Sequence, residues 1–310
     1  MFAALVLMAL QAPLTSSSSP PQTPVCSADA FPHPDLFGAN ITGITAEEVH
    51  NFTTVSLQPG TSYGSNTTIS FCNVSVTYLH PGWNDTTHVS VWLPHDNWNG
   101  RLQALGGGGY SATLGPLYLA QAVAAGYTAI DTDAGHAGGI AASQNLSDWV
   151  LTSPGNVNWY LLEDFGSRSL DDMTIIGKSI TQNFFGSAPK YSYFSGCSGG
   201  GRQALMIAQR YSDGYDGILA VAPAISIEQF VPAAHWAIQV MKDINYYPPP
   251  CESEAFTREA IVACDALDGL EDGIISDPHL CNFTAYDVVG KNFFCDGAQR
   301  QFTFKGATVV

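Results

Sequence analysis

The chain has 310 residues, of which 45% are apolar, 11% aromatic and only 12% charged. That balance supports a substantial core and excludes a disordered or coiled-coil protein. Lys and Arg number 11 against 27 Asp and Glu, for a net charge of −16. With no Lys/Arg cluster to displace counterions from phosphates, nucleic-acid binding is excluded too.

The N-terminus, Met1 to Leu10, is an apolar run too short to span a bilayer but suited to a signal h-region, although it lacks a basic n-region. Thr15-Ser16-Ser17-Ser18-Ser19-Pro20-Pro21 reads as a linker. Residues 1–25 are therefore expected to be a signal peptide and linker, which implies a secreted, extracellular protein with no membrane partner. Sequons at Asn40, Asn51, Asn66, Asn73, Asn84, Asn145 and Asn282 point the same way. The seven cysteines, Cys26, Cys72, Cys197, Cys251, Cys264, Cys281 and Cys295, form no Cys-x-x-Cys pair. Disulfides are the better reading in an oxidising compartment. Seven is odd, so at least one cysteine has no intramolecular partner.

Residues 88–94 alternate like a strand, and Arg101 to Leu105 is a short strand ending in Gly106-Gly107-Gly108-Gly109. Residues 117–125 read as a helix and 126–130 as a strand. A helix is expected over about 170–185, a strand over 191–195, a helix over 202–211 and a buried strand over 217–222. Strands alternating with helices imply βαβ units and a largely parallel sheet. After about Ser226 the prolines and four of the seven cysteines mark a different subdomain.

Gly196-Cys197-Ser198-Gly199-Gly200 follows the strand over 191–195 and precedes the helix over 202–211. Gly-x-Ser-x-Gly in that context is a nucleophile elbow, with small neighbours around a sharp turn that exposes the serine oxygen. Ser198 is the expected nucleophile. Oxyanion donors are expected from the Gly199 N–H and from Gly107 or Gly108 in the glycine loop. Cys197 is read as structural. His136, in Asp131-Thr132-Asp133-Ala134-Gly135-His136, precedes the serine, whereas the base follows it in this fold, so a structural or pocket-lining role is expected. Asp265, Asp268 and Asp272, broken by glycines, can wrap a hard cation with oxygen ligands, or can form a solvated acidic turn.

Together these segments resemble the tannase/feruloyl esterase family of secreted fungal carboxylic ester hydrolases. Besides the elbow, the glycine loop and the acidic loop, the resemblance rests on Thr132 to His136, Tyr215-Asp216-Gly217-Ile218 and Ala222-Pro223-Ala224. It implies an α/β-hydrolase-type, mostly parallel sheet with an inserted, here incomplete, lid domain. Residues 26–226 would be the N-terminal part of the core, and 227–310 a partial lid. It implies hydrolysis of hydroxycinnamic or gallic acid esters in plant cell-wall polysaccharide or tannin through a serine acyl-enzyme. It implies a structural Ca2+ on Asp265, Asp268, Asp272 and the carbonyls of Leu270 and Ile274. It also implies disulfides Cys26–Cys72 and Cys264–Cys281.

The family's catalytic Asp and His lie downstream of the lid, and neither His235 nor His279 precedes a cysteine as the family's histidine does. The triad Asp and His are thus expected outside this chain, with Cys197 and Cys295 left without partners. The expectation is an enzyme by family whose 310-residue chain is nearly inactive. The alternative is a secreted pseudoenzyme that binds plant phenolics or polysaccharide. Feruloyl against galloyl specificity, and a homodimer through the lid, stay open.

Overall fold

The computed structural model describes residues 25–56, 65–136, 143 and 145–310. All of the expected leader and linker except Val25 lies outside the described residues. The chain divides between Ala224 and Ile225 into two compact units.

The first unit is built on a seven-stranded sheet. Its strands are β1 (Asn40–Ser56), β2 (Ser65–Leu79), β3 (Thr87–Pro94), β4 (Arg101–Leu105), β5 (Thr128–Thr132), β8 (Tyr191–Cys197) and β9 (Gly217–Val221). A separate small hairpin, β6 (Leu151–Ser153) and β7 (Asn156–Val157), lies between β5 and β8 in sequence. The sheet order is β1-β2-β3-β5-β4-β8-β9. The β1–β2, β2–β3 and β3–β5 pairings are antiparallel, whereas β5–β4, β4–β8 and β8–β9 are parallel. Every residue of β5 is buried, as expected for a central strand covered on both faces.

The two faces have different covers. Helix α1 (Pro116–Ala124) places Leu119, Ala120, Ala122 and Val123 against Phe71, Trp92 and Ala129. A short helix α2 (Trp159–Glu163) leads through a π-helical turn, Asp164–Arg168, into α3 (Ser169–Phe185). On α3, Leu170, Met173, Ile176, Ile180 and Phe184 recur every three or four residues and enter the core of the other face. That helix stops at Gly186, whose φ of +69° supplies the left-handed end. Helix α4 (Gly199–Arg210) adds Ala204 and Ile207 to the same core. Cys26–Cys72 ties the N-terminal segment to β2.

The second unit contains α5 (Ile227–Asp243), α6 (Pro250–Cys264), a hairpin of β10 (Asn292–Cys295) and β11 (Ala298–Gln301), and α7 (Phe304–Val309). The hairpin turns on Asp296 and Gly297, both at positive φ. A small core gathers Phe256, Val288, Phe293 and Phe302. Cys264–Cys281 forms. Cys295, expected to be unpaired, joins Cys251, because the β10 end meets the start of α6. Cys197 alone is free, and it is exposed. Among the described residues no helix is long and apolar enough to cross a membrane.

Candidate functional site

Ser198 sits between β8 and α4 with φ 58° and ψ −115°, a backbone region that costs a non-glycine residue about 1–3 kcal/mol and clusters at functional sites. Three main-chain bonds hold it there. Its N–H donates to the Val221 carbonyl at 3.0 Å, and its carbonyl accepts from the N–H groups of Arg202 and Ala224, both at 3.0 Å. The side chain is exposed, as is that of Cys197. Among the described residues, no histidine or carboxylate hydrogen-bonds the Ser198 Oγ.

The glycine loop lies directly on this turn. The Gly106 N–H donates to Ser195 O and the Gly200 N–H to Gly107 O, both at 2.9 Å. A Cβ on Gly199 would stand 2.6 Å from Gly109 O, and one on Gly196 would stand 2.3 Å from Gly200 O. Only glycine lets the loop approach Gly199 and the elbow turn this tightly at Gly196.

Gln203 on α4 was not singled out in the sequence, yet it fastens the loop. Its Oε1 accepts from the Gly107 N–H at 2.8 Å and its Nε2 donates to Ala112 O at 3.1 Å. It is only 1% exposed. The available signal was a polar residue on the buried face of the helix that the elbow opens.

Two of the expected oxyanion donors are hydrogen-bonded within the loop. The Gly107 N–H is taken by Gln203, and the Gly108 N–H by Ser111 O at 3.1 Å. The Gly199 N–H, at the start of α4, makes no hydrogen bond among the described residues. The same holds for the Gly109 N–H, whose nitrogen would lie 3.3 Å from a Cβ on Gly199. Unpaired N–H groups at a helix start favour a developing negative charge.

His136 is buried and stacks on Trp149 at 4.1 Å. Its Nε2 lies 2.8 Å from Tyr110 O and its Nδ1 3.3 Å from Ala134 O. The ring thus anchors the end of the glycine loop. Asp133 accepts from the His88 N–H at 2.8 Å and faces the His88 Nδ1 at 2.7 Å. Hydrogen bonding to that carboxylate raises the His88 pKa above its ordinary value. Behind the loop, Thr113 donates to the buried Asp131, whose carboxyl burial pushes up to about 6. Arg202 lies over the Phe165 ring at 4.3 Å and donates to the carbonyls of Phe165 (3.0 Å) and Gly166 (3.2 Å). Desolvation lowers its pKa to about 10.

In the second unit the acidic loop is held differently. Asp265 accepts from the Gly273 N–H at 3.0 Å, Asp268 from the N–H groups of Leu270 (3.0 Å) and Ser276 (3.2 Å), and Asp272 from the Ile274 N–H (3.0 Å). The Asp268 carboxyl is held below its usual range, first by the Leu270 N–H. The carbonyls of Leu270 and Ile274 accept no hydrogen bond among the described residues. This oxygen-only donor set suits a hard cation, but Asp265, Asp268 and Asp272 do not bring ligand oxygens within 4.8 Å of one another. His235 and His279 are exposed.

Comparison with known proteins follows the same lines. The family described as tannase and feruloyl esterase matches residues 72–304. A probable feruloyl esterase of Arthroderma benhamiae is 42% identical over 279 residues, which are 89% of this chain and 51% of that protein. A tannase of Aspergillus oryzae is 35% identical over 244 residues, 75% of this chain and 40% of that protein. Among solved structures, tannin acyl hydrolase from Aspergillus niger superposes with a TM-score of 0.76 at 30% identity, covering 92% of this chain and 53% of that one. Feruloyl esterase B from Aspergillus oryzae gives a TM-score of 0.65 at 25% identity, covering 89% and 53%. The fold is thus of the α/β-hydrolase type. The chain spans about half the length of the curated relatives it matches.

Proposed function

Because the chain belongs to the tannase and feruloyl esterase family, we propose that it carries the nucleophile and oxyanion site of a serine carboxylic ester hydrolase acting on hydroxycinnamic or gallic acid esters. The observation that carries this reading is the strained, exposed Ser198 between β8 and α4, with an unpaired Gly199 N–H beside it. In the reaction, Ser198 Oγ bonds to the ester carbonyl carbon as its proton passes to a base. The carbonyl oxygen becomes an oxyanion facing the N–H groups of Gly199 and Gly109, which are unpaired where those of Gly107 and Gly108 are hydrogen-bonded. Expulsion of the alcohol leaves an acyl-serine, and water then releases the acid. Roles of base and orienting carboxylate are not assigned to any described residue. Hydrolysis of methyl ferulate and methyl gallate tests the reading. In protein expressed from its full gene, Ser198→Ala should lower kcat/KM by at least about 10³-fold, and unchanged turnover would refute it.

The lack of a base on Ser198 favours a second reading, a non-catalytic protein that holds plant phenolics. Such a protein would bind ferulate or gallate without hydrolysing either methyl ester. Secretion is supported by the disulfides and by the sequon asparagines, all exposed except the half-buried Asn73. Detection of N-glycan on those asparagines in protein from its native source tests it. A structural Ca2+ is proposed on Asp265, Asp268, Asp272 and the carbonyls of Leu270 and Ile274, in a loop closed by Cys264–Cys281. Bound there, the ion would cross-link the loop. Plant cell-wall polysaccharide and tannin are the proposed carriers of the esters.

A further inference from the structure

A second cluster of titratable side chains lies outside the elbow, assembled from three segments of the first unit. His80 follows β2, Asp85 precedes β3, Asp164 opens the π-helical turn and Asp172 stands on α3. All four are 5% exposed or less, and Asp164 and Asp172 are fully buried. The His80 Nδ1 is 2.7 Å from Asp85 Oδ2 and 3.6 Å from Asp164 Oδ1. One ligand atom from each of these three residues lies within 4.8 Å of the other two. Among the described residues, neither oxygen of Asp164 accepts a hydrogen bond from an N–H donor. A buried carboxylate facing an imidazole nitrogen without any donor is costly unless something else occupies the space between them.

The surroundings are those of a ligating histidine. His80 Nε2 lies 3.1 Å from Asp172 Oδ2, and Asp172 Oδ1 lies 3.0 Å from Arg168. A metal-bound imidazole commonly gives its other N–H to such a carboxylate, and at Nδ1 the ion would take the place of the proton that joins His80 to Asp85 Oδ2 at 2.7 Å. Asp85 is oriented as well, because its Oδ1 accepts from the His80 N–H at 2.9 Å. With its three carboxylates ionised and the imidazole neutral, the cluster would be neutral with Arg168 and one divalent ion.

We propose that His80 Nδ1, Asp85 and Asp164 form a buried site for one divalent transition-metal ion, with Asp172 as the outer partner of His80. One imidazole with two carboxylates suits Zn2+ or Mn2+ rather than Ca2+, which takes an all-oxygen shell. The site is distinct from the acidic loop of the second unit in ligands and in chemistry. The ion would pin the turn Asp164–Arg168, whose Phe165 and Gly166 carbonyls receive Arg202 from the elbow helix.

The test strips the purified protein with a chelator and titrates it with Zn2+ and, separately, Mn2+, by calorimetry and elemental analysis. One equivalent should bind the wild type and raise Tm by about 5–10 °C when the ion is in 100-fold excess over Kd. Asp164→Asn, an isosteric change at a buried position, should fold and bind at least about 100-fold more weakly. Asp268→Asn in the acidic loop should keep the equivalent. Failure of both ions to bind, or equal binding by Asp164→Asn, overturns the proposal and leaves Asp85 and Asp164 sharing a proton.

Discussion

The loop around Gly106–Gly109 and the loop around Asp265–Ile274 are both glycine-punctuated turns, and opposite forces shape them. In the first, Cβ atoms on Gly199 and Gly200 would run into the backbone of the glycine loop, and one on Gly196 into Gly200 of the same turn, at 2.8 Å or less. In the second, Gly269 and Gly273 sit at φ +92° and +84° with nothing within 4 Å of a Cβ. The elbow loop is fixed by packing and by Gln203. The acidic loop is fixed by a disulfide and by carboxylates folded onto its own N–H groups. The first is held by backbone packing, whereas the second is held by carboxylates bonded to its own N–H groups.

Substitutions separate the two regimes. The largest effect is expected for Gly196→Ala, where the methyl would meet Gly200 O at 2.3 Å. A loss of about 4 kcal/mol in denaturant-measured stability is expected, and a loss under 1 kcal/mol would mean that the elbow backbone can give way. Next comes Asp131, behind the elbow loop. Burial lifts its folded pKa to about 6 from 3.8, so the fold prefers the protonated form. Its favourable contribution is complete below about pH 4 and is lost as pH rises through 6, a swing of about 3 kcal/mol. Asp131→Asn should therefore gain stability relative to wild type between pH 4 and 7. A pH-independent difference between the two proteins would contradict this.

Gln203→Ala leaves the Gly107 N–H and Ala112 O unpaired in the interior. It should cost about 2 kcal/mol and slow acylation, whereas Gln203→Glu should keep the bond to Gly107. Smallest is Gly269→Ala, where only the positive φ opposes the methyl, at about 1 kcal/mol. The acidic loop should respond instead to chelation. EGTA should lower Tm by a few degrees, and an unchanged Tm would remove the Ca2+ assignment.

The same contrast explains what could be read from the sequence. The parallel half of the sheet was legible because its strands are short apolar or aromatic-rich segments that alternate with helices, and the elbow was legible because strand, Gly-x-Ser-x-Gly and helix are contiguous. Strand β2 carried a usable signal in Phe71-Cys72-Asn73-Val74-Ser75-Val76-Thr77-Tyr78, with Cys72, Val74, Val76 and Tyr78 on one buried face. Its partner β1 did not, since Glu47-Glu48-Val49-His50 has no clear alternation. The Gly199 N–H was legible as an unpaired donor, but the state of the glycine-loop N–H groups was not. Which loop N–H is already bonded depends on Gln203, 96 residues beyond Gly107. The pairing of Cys251 with Cys295 and the assembly of His80, Asp85, Asp164 and Asp172 likewise depend on three-dimensional closure over 44 to 92 residues.

The most direct test of Ser198 is to trap its acyl intermediate. Protein expressed from its full gene, mixed with methyl ferulate or methyl gallate and quenched in acid, should carry a feruloyl or galloyl group on the peptide containing Ser198. The group should be absent in Ser198→Ala. An acyl group on another residue, or undiminished ester hydrolysis by Ser198→Ala, would contradict the assignment.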